Sequence, residues 1–377
     1  MMASDKSPYT FEMIESSESL AALRPRWESL LKIADRPGLF FHWDWNYAWW
    51  QSFSKNDDRL VVVLAERNGE PFGLAPFFVR RSNYYGVPRR LLRFIGEGHS
   101  DRADVLVREH TPIFYRDLFA FLCERVEWDL IYLRELPEGS GLLDWARTSG
   151  MLAYVEEDSE CPYIPFSADM TPESFRQSLS RKTRAEFRSV ARRLKEIGEG
   201  SFHHRSITGP EDLVLEQLRD IEINSAKGTR NIHLVFSPEG NFSFQKRLLG
   251  QFNGSVQPLL STLELNGETI AYLYGFVTDR VYHAYNMAFL PEYARVSPGK
   301  FLMQEAIEHC IREGLSEFDF LRGGSYIKSK WTDRHRRQEH LTIFRNSLLN
   351  RVHGWAIFDL RPKIKPLLSR LRNRSTT

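Results

Sequence analysis

Val281-Tyr282-His283-Ala284-Tyr285-Asn286-Met287, followed by Ser297-Pro298-Gly299-Lys300 and then Phe318-Asp319-Phe320-Leu321, is the stretch that decides the fold. The first segment has β character. A short turn through Pro291 leads to the Ser-Pro-Gly-Lys quartet. Leu302, Ala306, Ile307 and Cys310 then recur at helical spacing. The second strand empties into Arg322-Gly323-Gly324-Ser325-Tyr326. Ser297 is a favourable N-cap, Pro298 suits the first helical position, and Gly299 leaves the backbone open to a ligand. A helix that starts this way offers free N–H groups and a positive dipole end beside Lys300, an arrangement that suits phosphate.

The chain elsewhere repeats this plan. Leu60 to Ala65 reads as a strand, Asn68-Gly69 as a tight turn, and Pro71 to Val79 as the returning strand. Leu263 to Leu265, Asn266-Gly267 and Thr269 to Val277 do the same 198 residues later. Thr111-Pro112 opens a helix as Ser297-Pro298 does, and Trp128-Asp129-Leu130-Ile131 follows that helix as Phe318-Asp319-Phe320-Leu321 follows the other. The sequence therefore predicts a tandem duplication. The fold class is α/β (α+β), each copy a mixed, mostly antiparallel sheet flanked by helices. The boundary falls at the Pro-punctuated Cys161-Pro162-Tyr163-Ile164-Pro165, giving domains 1–160 and 161–377. Ile113 and Phe114 stand where Gly299 and Lys300 stand. A branched side chain and a ring there would obstruct a phosphate and remove the cation, so the first copy reads as degenerate.

Other segments narrow the function. The 377 residues carry a formal net charge of +2, so any basic surface must be local. Ser180 to Gly198 is such a segment: a helix with Arg181, Lys182, Arg184, Arg188, Arg192, Arg193 and Lys195 set against an apolar stripe of Phe187, Val190, Ala191 and Leu194. It reads first as a solvated amphipathic helix, and second as a rim for a phosphate-rich carrier, an anionic lipid carrier or tRNA; peripheral contact with an anionic surface is a further expectation. The aromatic run Phe40 to Trp50 reads as a core helix rather than a stacking platform. Helices are also expected over Leu20 to Ile33, Leu213 to Ala226 and Phe242 to Phe252, and a strand over Leu341 to Arg345. The loop Gly96 to Asp104 is polar. Cys123, Cys161 and Cys310 have no metal-ligand spacing, and the histidines His99, His203 and His204 do not share a face, so no metal is assigned. No G-x-S-x-G or Walker loop is present, which removes the strongest cues for serine hydrolases and nucleotide triphosphatases. The N-terminus lacks an apolar signal region and no stretch reaches membrane-spanning length, so a cytoplasmic location is expected.

This order of hairpin, strand, Ser-Pro-Gly turn, helix, Phe-Asp-Phe-Leu strand and Gly/Tyr/Lys/Trp loop resembles the Gcn5-related N-acetyltransferase superfamily. Within it, the chain is similar to the two-domain cellulose- or exopolysaccharide-biosynthesis acetyltransferase-like branch, related to the Fem-type peptidyltransferases. The residues that carry the resemblance are Leu179 to Arg184, Arg193-Leu194, Ser297-Pro298-Gly299, Gly314, Phe318 to Gly323, Lys328 and Trp331. Two features depart from the pattern: Gly299 alone remains of the usual spaced glycines, with Arg295 at the preceding polar position, and Tyr326 is separated from Lys328 by Ile327.

The resemblance implies transfer of an acetyl or other acyl group from acyl-CoA to an amine, without a metal. The acyl carbonyl would lie near Asn286 and Met287, the carrier near Arg295, Ser297, Gly299 and Lys300. Tyr326 is then the candidate acid and His283 or Glu264 the candidate base. Asp319, Arg322, Lys328 and Trp331 would line the acceptor side. The acceptor is expected to be a small molecule or a glycan precursor. The alternatives are an aminoacyl-tRNA-dependent peptidyltransferase, and a non-catalytic subunit of a polysaccharide-synthesis assembly.

Overall fold

The structure is a computed structural model of the chain and describes residues 7–232, 234–252, 254–324 and 327–363. In chain order the elements are β1 (Thr10–Ile14), α1 (Ser17–Ala22), α2 (Arg24–Leu31), α3 (Trp43–Phe53), β2 (Arg59–Arg67), β3 (Glu70–Tyr84), β4 (Val87–Phe94), β5 (Leu106–Val107), α4 (Pro112–Arg125), β6 (Leu130–Pro137), α5 (Gly141–Thr148) and β7 (Leu152–Pro165). They continue with α6 (Pro172–Ser178), α7 (Arg181–Ile197), β8 (Gly200–Ser206), α8 (Val214–Asn224), α9 (Ala226–Arg230), α10 (Glu239–Gln251), β9 (Gln257–Leu265), β10 (Glu268–Thr278), β11 (Val281–Phe289), α11 (Pro298–Arg312), β12 (Glu317–Asp319), β13 (His335–Phe344) and α12 (Leu348–Trp355).

Two compact units account for the described chain. The first comprises the chain up to Trp43, Lys55–Asp158 and the chain from Arg337. The second comprises Asp44–Ser54 and Ser159–Arg336. The units therefore depart from a single cut at residue 160 in two segments. The α3 residues after Trp43 belong to the second unit because Trp45, with no exposed surface, meets Phe244, Phe276 and Tyr285 edge-on at 5.4–5.7 Å. Phe53 packs on Phe244 at 5.4 Å. The reading of this aromatic run as a core helix holds from Trp43 on, with Asp44–Phe53 in the core of the second unit, while Phe40 and Phe41 lie in a 3-10 turn of the first. The 337–344 segment stays with the first unit because Leu341, Thr342 and Ile343 pair with Leu133, Tyr132 and Ile131.

Each unit is built on the duplicated plan. In the first, β2, β3 and β4 are antiparallel neighbours, and β4 pairs in parallel with β6 after the α4 crossover. In the second, β9, β10 and β11 are antiparallel neighbours, and β11 pairs in parallel with β12 after α11. Both hairpins close on Asn-Gly with positive φ at both residues: 55° and 80° at Asn68-Gly69, 53° and 84° at Asn266-Gly267. This is the turn whose twist matches two antiparallel strands. The Leu20–Ile33 region forms two helices rather than one, since Pro25 lies in the first turn of α2, where its missing N–H costs no hydrogen bond.

The second unit's sheet has helices on both faces. Phe187, Val190 and Leu194 of α7, with Leu302, Ala306 and Ile307 of α11, pack against Leu263, Ala271, Leu273 and Tyr282. The Phe236 ring meets Tyr272 edge-on at 6.0 Å and Tyr274 at a tilt at 5.4 Å on the opposite side, where α8, α10 and α3 contribute. No helix among the described residues is long and apolar enough to cross a membrane.

Removing the Trp45 ring deletes the centre of the Phe244–Phe276–Tyr285 cluster. Trp45→Ala is expected to cost ~3–5 kcal/mol of the second unit's stability, the usual range for a buried tryptophan truncated to alanine. Urea unfolding followed by fluorescence measures it. An unchanged midpoint would contradict placing α3 in this core.

Candidate functional site

The site grows from the way β11 and β12 part. They pair at only three positions, Val281↔Glu317, Tyr282↔Phe318 and His283↔Asp319. Asp319 is fully buried; its Oδ1 accepts the Leu321 N–H at 2.9 Å, and its Oδ2 lies 3.4 Å from His283 Nδ1. Leu321 takes a left-handed conformation (φ 56°), turning the chain out of the sheet. β11 runs on to Phe289 without β12 beside it. Leu290 donates to Ile270 O at 2.9 Å, so the antiparallel alternation turns the Met287 and Phe289 N–H groups away from β10, toward the gap.

The helix beyond the gap begins differently from expectation. Ser297 does not cap α11 with its side chain: it sits in the left-handed region (φ 49°) at the end of a 3-10 turn over Pro291–Val296. Extended backbone, which an N-cap serine needs to reach the next N–H groups, is not available to it there. Thr111 of the first unit, in contrast, has extended backbone and its hydroxyl accepts the Phe114 N–H. Gly299 is buried, and a Cβ added there would lie 3.3–3.4 Å from Met287 and Phe289. Its smallness lets α11 close onto β11. Lys300 does not stand free: Glu186 of α7 bonds it and also accepts from Lys330 at 2.7 Å. Those two ammonium groups hold the Glu186 carboxyl down at about 2. The corresponding place in the first unit is filled: the Phe114 ring lies over Gly73 and between Tyr9 and Phe72, both 5.5 Å away.

The remaining sequence candidates separate into groups. Asn286 is buried in β11 and Met287 follows it on the opposite face. Arg295 is exposed, and its carbonyl accepts from Arg193 of α7 at 2.8 Å. Lys328 Nζ reaches the carbonyls of Phe320, Leu321 and Arg322 at 2.8, 3.3 and 2.8 Å, which folds the post-β12 loop around one cation. Trp331 is a core residue, stacked on Phe187 at 4.8 Å. Arg322 is half-buried on the same loop. His283 is buried within the three-position pairing. Glu264 lies on β9 beside His203 at 3.4 Å, lining a groove with Arg205, Asp212 and Gln217 rather than the gap. Tyr326 lies outside the described residues. In the first unit's Gly96–Asp104 loop, Asp104 is buried and burial raises its carboxyl to about 7.

Sequence reading missed one group altogether. Glu222 of α8 is buried without exposed surface and accepts the N–H groups of Val235 and Phe236, both at 2.8 Å. It also accepts from Asn286 Nδ2 at 2.7 Å, and that nitrogen reaches Tyr272 Oη at 2.9 Å. The Asn286 Oδ1 is thereby turned to Lys227 Nζ, 2.5 Å away. The available signal was Glu222 itself, which falls on the apolar stripe of Leu215 and Leu218. A glycine follows Lys227 because a Cβ at Gly228 would strike the Ile223 carbonyl oxygen at 1.9 Å.

Comparison with known proteins agrees with this geometry. Residues 181–329 match the acetyltransferase (GNAT) domain family. No curated protein matches the chain. The crystal structure of FemX superposes with a TM-score of 0.60 at 10% identity, covering 92% of this chain and 100% of that one. A tandem GNAT protein from the clavulanic acid biosynthesis pathway gives 0.50 at 12% identity, covering 90% and 99%. The C-terminal DUF2156 domain of a protein described as a lysylphosphatidylglycerol synthetase, from Agrobacterium fabrum, gives 0.51 at 12%, covering 90% and 96%. The fold is that of the GNAT-type acyltransferases. The similarity extends to tandem and Fem-type chains, and nothing in it singles out the cellulose-biosynthesis branch.

The Lys300–Glu186–Lys330 bridge has a pH signature. The folded-state carboxyl is held below its ordinary value of 4.5, so its stabilisation is present above that value and is lost as pH falls toward about 2. Glu186→Gln is therefore expected to melt lower than wild type at pH 7, with the gap shrinking progressively below pH 4.5 in thermal scans. A gap that stays constant with pH would rule the bridge out as its origin.

Proposed function

We propose that the second unit transfers an acyl group from acyl-CoA, acetyl-CoA being the simplest case, to the amine of a sugar or polysaccharide-precursor acceptor. One observation carries this reading: β11 and β12 part after three paired positions, and the gap exposes strand N–H groups next to the start of α11. A thioester carbonyl oriented on the Met287 N–H is polarised for attack, because a preorganised donor stabilises the negative charge that develops on that oxygen. The amine nitrogen adds to the carbonyl carbon and loses a proton, the tetrahedral adduct expels the thiolate, and the thiolate takes up a proton. Carrier phosphates sit at the start of α11, where the Gly299 N–H is the first donor after Pro298 and Arg295 adds exposed positive charge. Lys300 takes part by holding α7 against α11 through Glu186. Lys328 shapes the acceptor loop from its three carbonyl contacts. Tyr326, which precedes Ile327 in the sequence, is the proton donor to the thiolate under this reading. His283 and Asp319 support the gap from beneath.

A second reading has a specific observation behind it. Arg181, Lys182, Arg188, Arg192 and Lys195 all lie exposed on α7. A face of this kind suits an RNA backbone, so an aminoacyl-tRNA donor is the alternative.

Acetyl-CoA is expected to raise the melting temperature of the wild type, by the equivalent of ~2.7 kcal/mol at a hundredfold excess over its dissociation constant. Gly299→Ile, which fills the α11–β11 contact, should lose the shift. Arg295→Glu should weaken it without disturbing the core. No shift at millimolar acetyl-CoA, together with salt-sensitive tRNA binding that Arg188→Ala/Arg192→Ala removes, would replace the first reading with the second. If neither ligand binds, a non-catalytic subunit is the reading that survives.

A further inference from the structure

Lys227 is a half-buried cation of the second unit. It stands in α9, whose first N–H groups are capped by the Ser225 hydroxyl, accepting from Lys227 N at 3.1 Å and Gly228 N at 3.4 Å. The backbone is therefore fixed on one side of the side chain. On the other side, the ammonium donates to Asn286 Oδ1. That amide cannot turn over: its nitrogen is committed to the Glu222 carboxylate and the Tyr272 hydroxyl, and a flipped amide would set oxygen against carboxylate. Glu222 is in turn fixed by two backbone N–H groups. Four groups thus hold one lysine in place.

Among the described residues no carboxylate pairs directly with the lysine ammonium. A Lys ammonium has three hydrogens, and among the described residues one of them is used, on a neutral amide oxygen. Burial and the nearby Lys328 charge both act to lower its basicity, while Glu222 acts to raise it. Among the described residues two donors of this half-buried cation remain open to a ligand.

Position specifies which ligand. Asn286 and Met287 are neighbours on β11, so their side chains leave opposite faces of the sheet. Met287 meets Gly299 of α11. Lys227 therefore sits at the same gap but on the face away from α11. A donor whose phosphates lie at α11 fills the near side, and the acceptor approaches from the side of Lys227.

We propose that Lys227 is an anion-binding residue of the acceptor subsite, pairing with a carboxylate or phosphate oxygen, so that the acceptor is an amine that carries an acidic group. The inference rests on the acyl-transfer reading above for the word acceptor, but the anion site itself is testable without a donor. The full-length chain labelled with 13Cε-lysine is titrated separately with inorganic phosphate, acetate and methyl acetate, the Lys227 resonance being assigned by its loss in Lys227→Met. A saturable shift of that resonance with phosphate or acetate, absent with methyl acetate, is the expected result. The anion that saturates at lower concentration identifies the acidic group. A linear drift no larger than that of the other lysines overturns the proposal.

Melting with acetyl-CoA separates the two claims. A donor shift without a saturable anion response defeats this inference alone. An anion response without any donor shift defeats the acyl-transfer reading and, with it, the acceptor assignment. When activity is read with paired amines, glucosamine 6-phosphate against glucosamine and glycine against its methyl ester, Lys227→Met is expected to raise KM for the acidic member ~10-fold or more, as loss of a charge-assisted hydrogen bond does. It should leave the neutral member's KM and the acetyl-CoA shift unchanged, and Lys227→Arg should recover part of the loss. An equal fall in kcat for both members would assign Lys227 to the chemical step instead and overturn the proposal.

Discussion

The second unit depends on a parallel pairing that stops. Three residue pairs join β11 to β12, and the last, His283 with Asp319, is buried and polar. Asp319 then holds the Leu321 N–H and the chain leaves the sheet through a left-handed residue. Had the pairing continued, β11 would have spent its outward N–H groups on β12 and no gap would exist. The β9–β10 hairpin, the α11 crossover and the lysine-centred loop after β12 surround that gap.

Around the gap, charges are arranged in two ways that should not be confused. Lys300 and Lys330 share Glu186, a direct ion bridge that ties α7, α11 and the post-β12 loop together. Partly exposed bridges of this kind contribute modestly to stability. Lys227 and Glu222 are of opposite sign as well, yet Asn286 stands between them. Separation by an amide leaves the cation electrostatically compensated at a distance, with its remaining hydrogens unbonded among the described residues. The first arrangement is architectural. The second holds the cation through a neutral amide instead.

Much of the fold was legible because it follows short-range rules. Asn-Gly between alternating strands specifies the hairpin wherever it occurs, which is why two hairpins 198 residues apart exposed the duplication. The stripe Phe187, Val190, Leu194 fixed the inward face of α7. Long-range partners were not legible. Nothing near Trp45 announces that its cluster lies at Phe244, Phe276 and Tyr285. The Ser297-Pro298-Gly299-Lys300 quartet shows the limit best. As a string it is a capped phosphate-binding helix start; in the fold, a preceding 3-10 turn forces Ser297 left-handed, Gly299 is filled by strand contact, and Lys300 is claimed by a residue 114 positions earlier. Lys227 was overlooked for the same reason in reverse. A lysine in a polar segment gains meaning only from Asn286, which is 59 positions away.

The most direct test of the gap as the acyl-donor site is the backbone amide of Met287. In 15N-labelled protein, acetyl-CoA is expected to shift the Met287 N–H resonance downfield relative to coenzyme A alone, because only the thioester brings a carbonyl to that hydrogen. Equal shifts with both ligands, or perturbations confined to the unit that contains Phe114, would contradict the account.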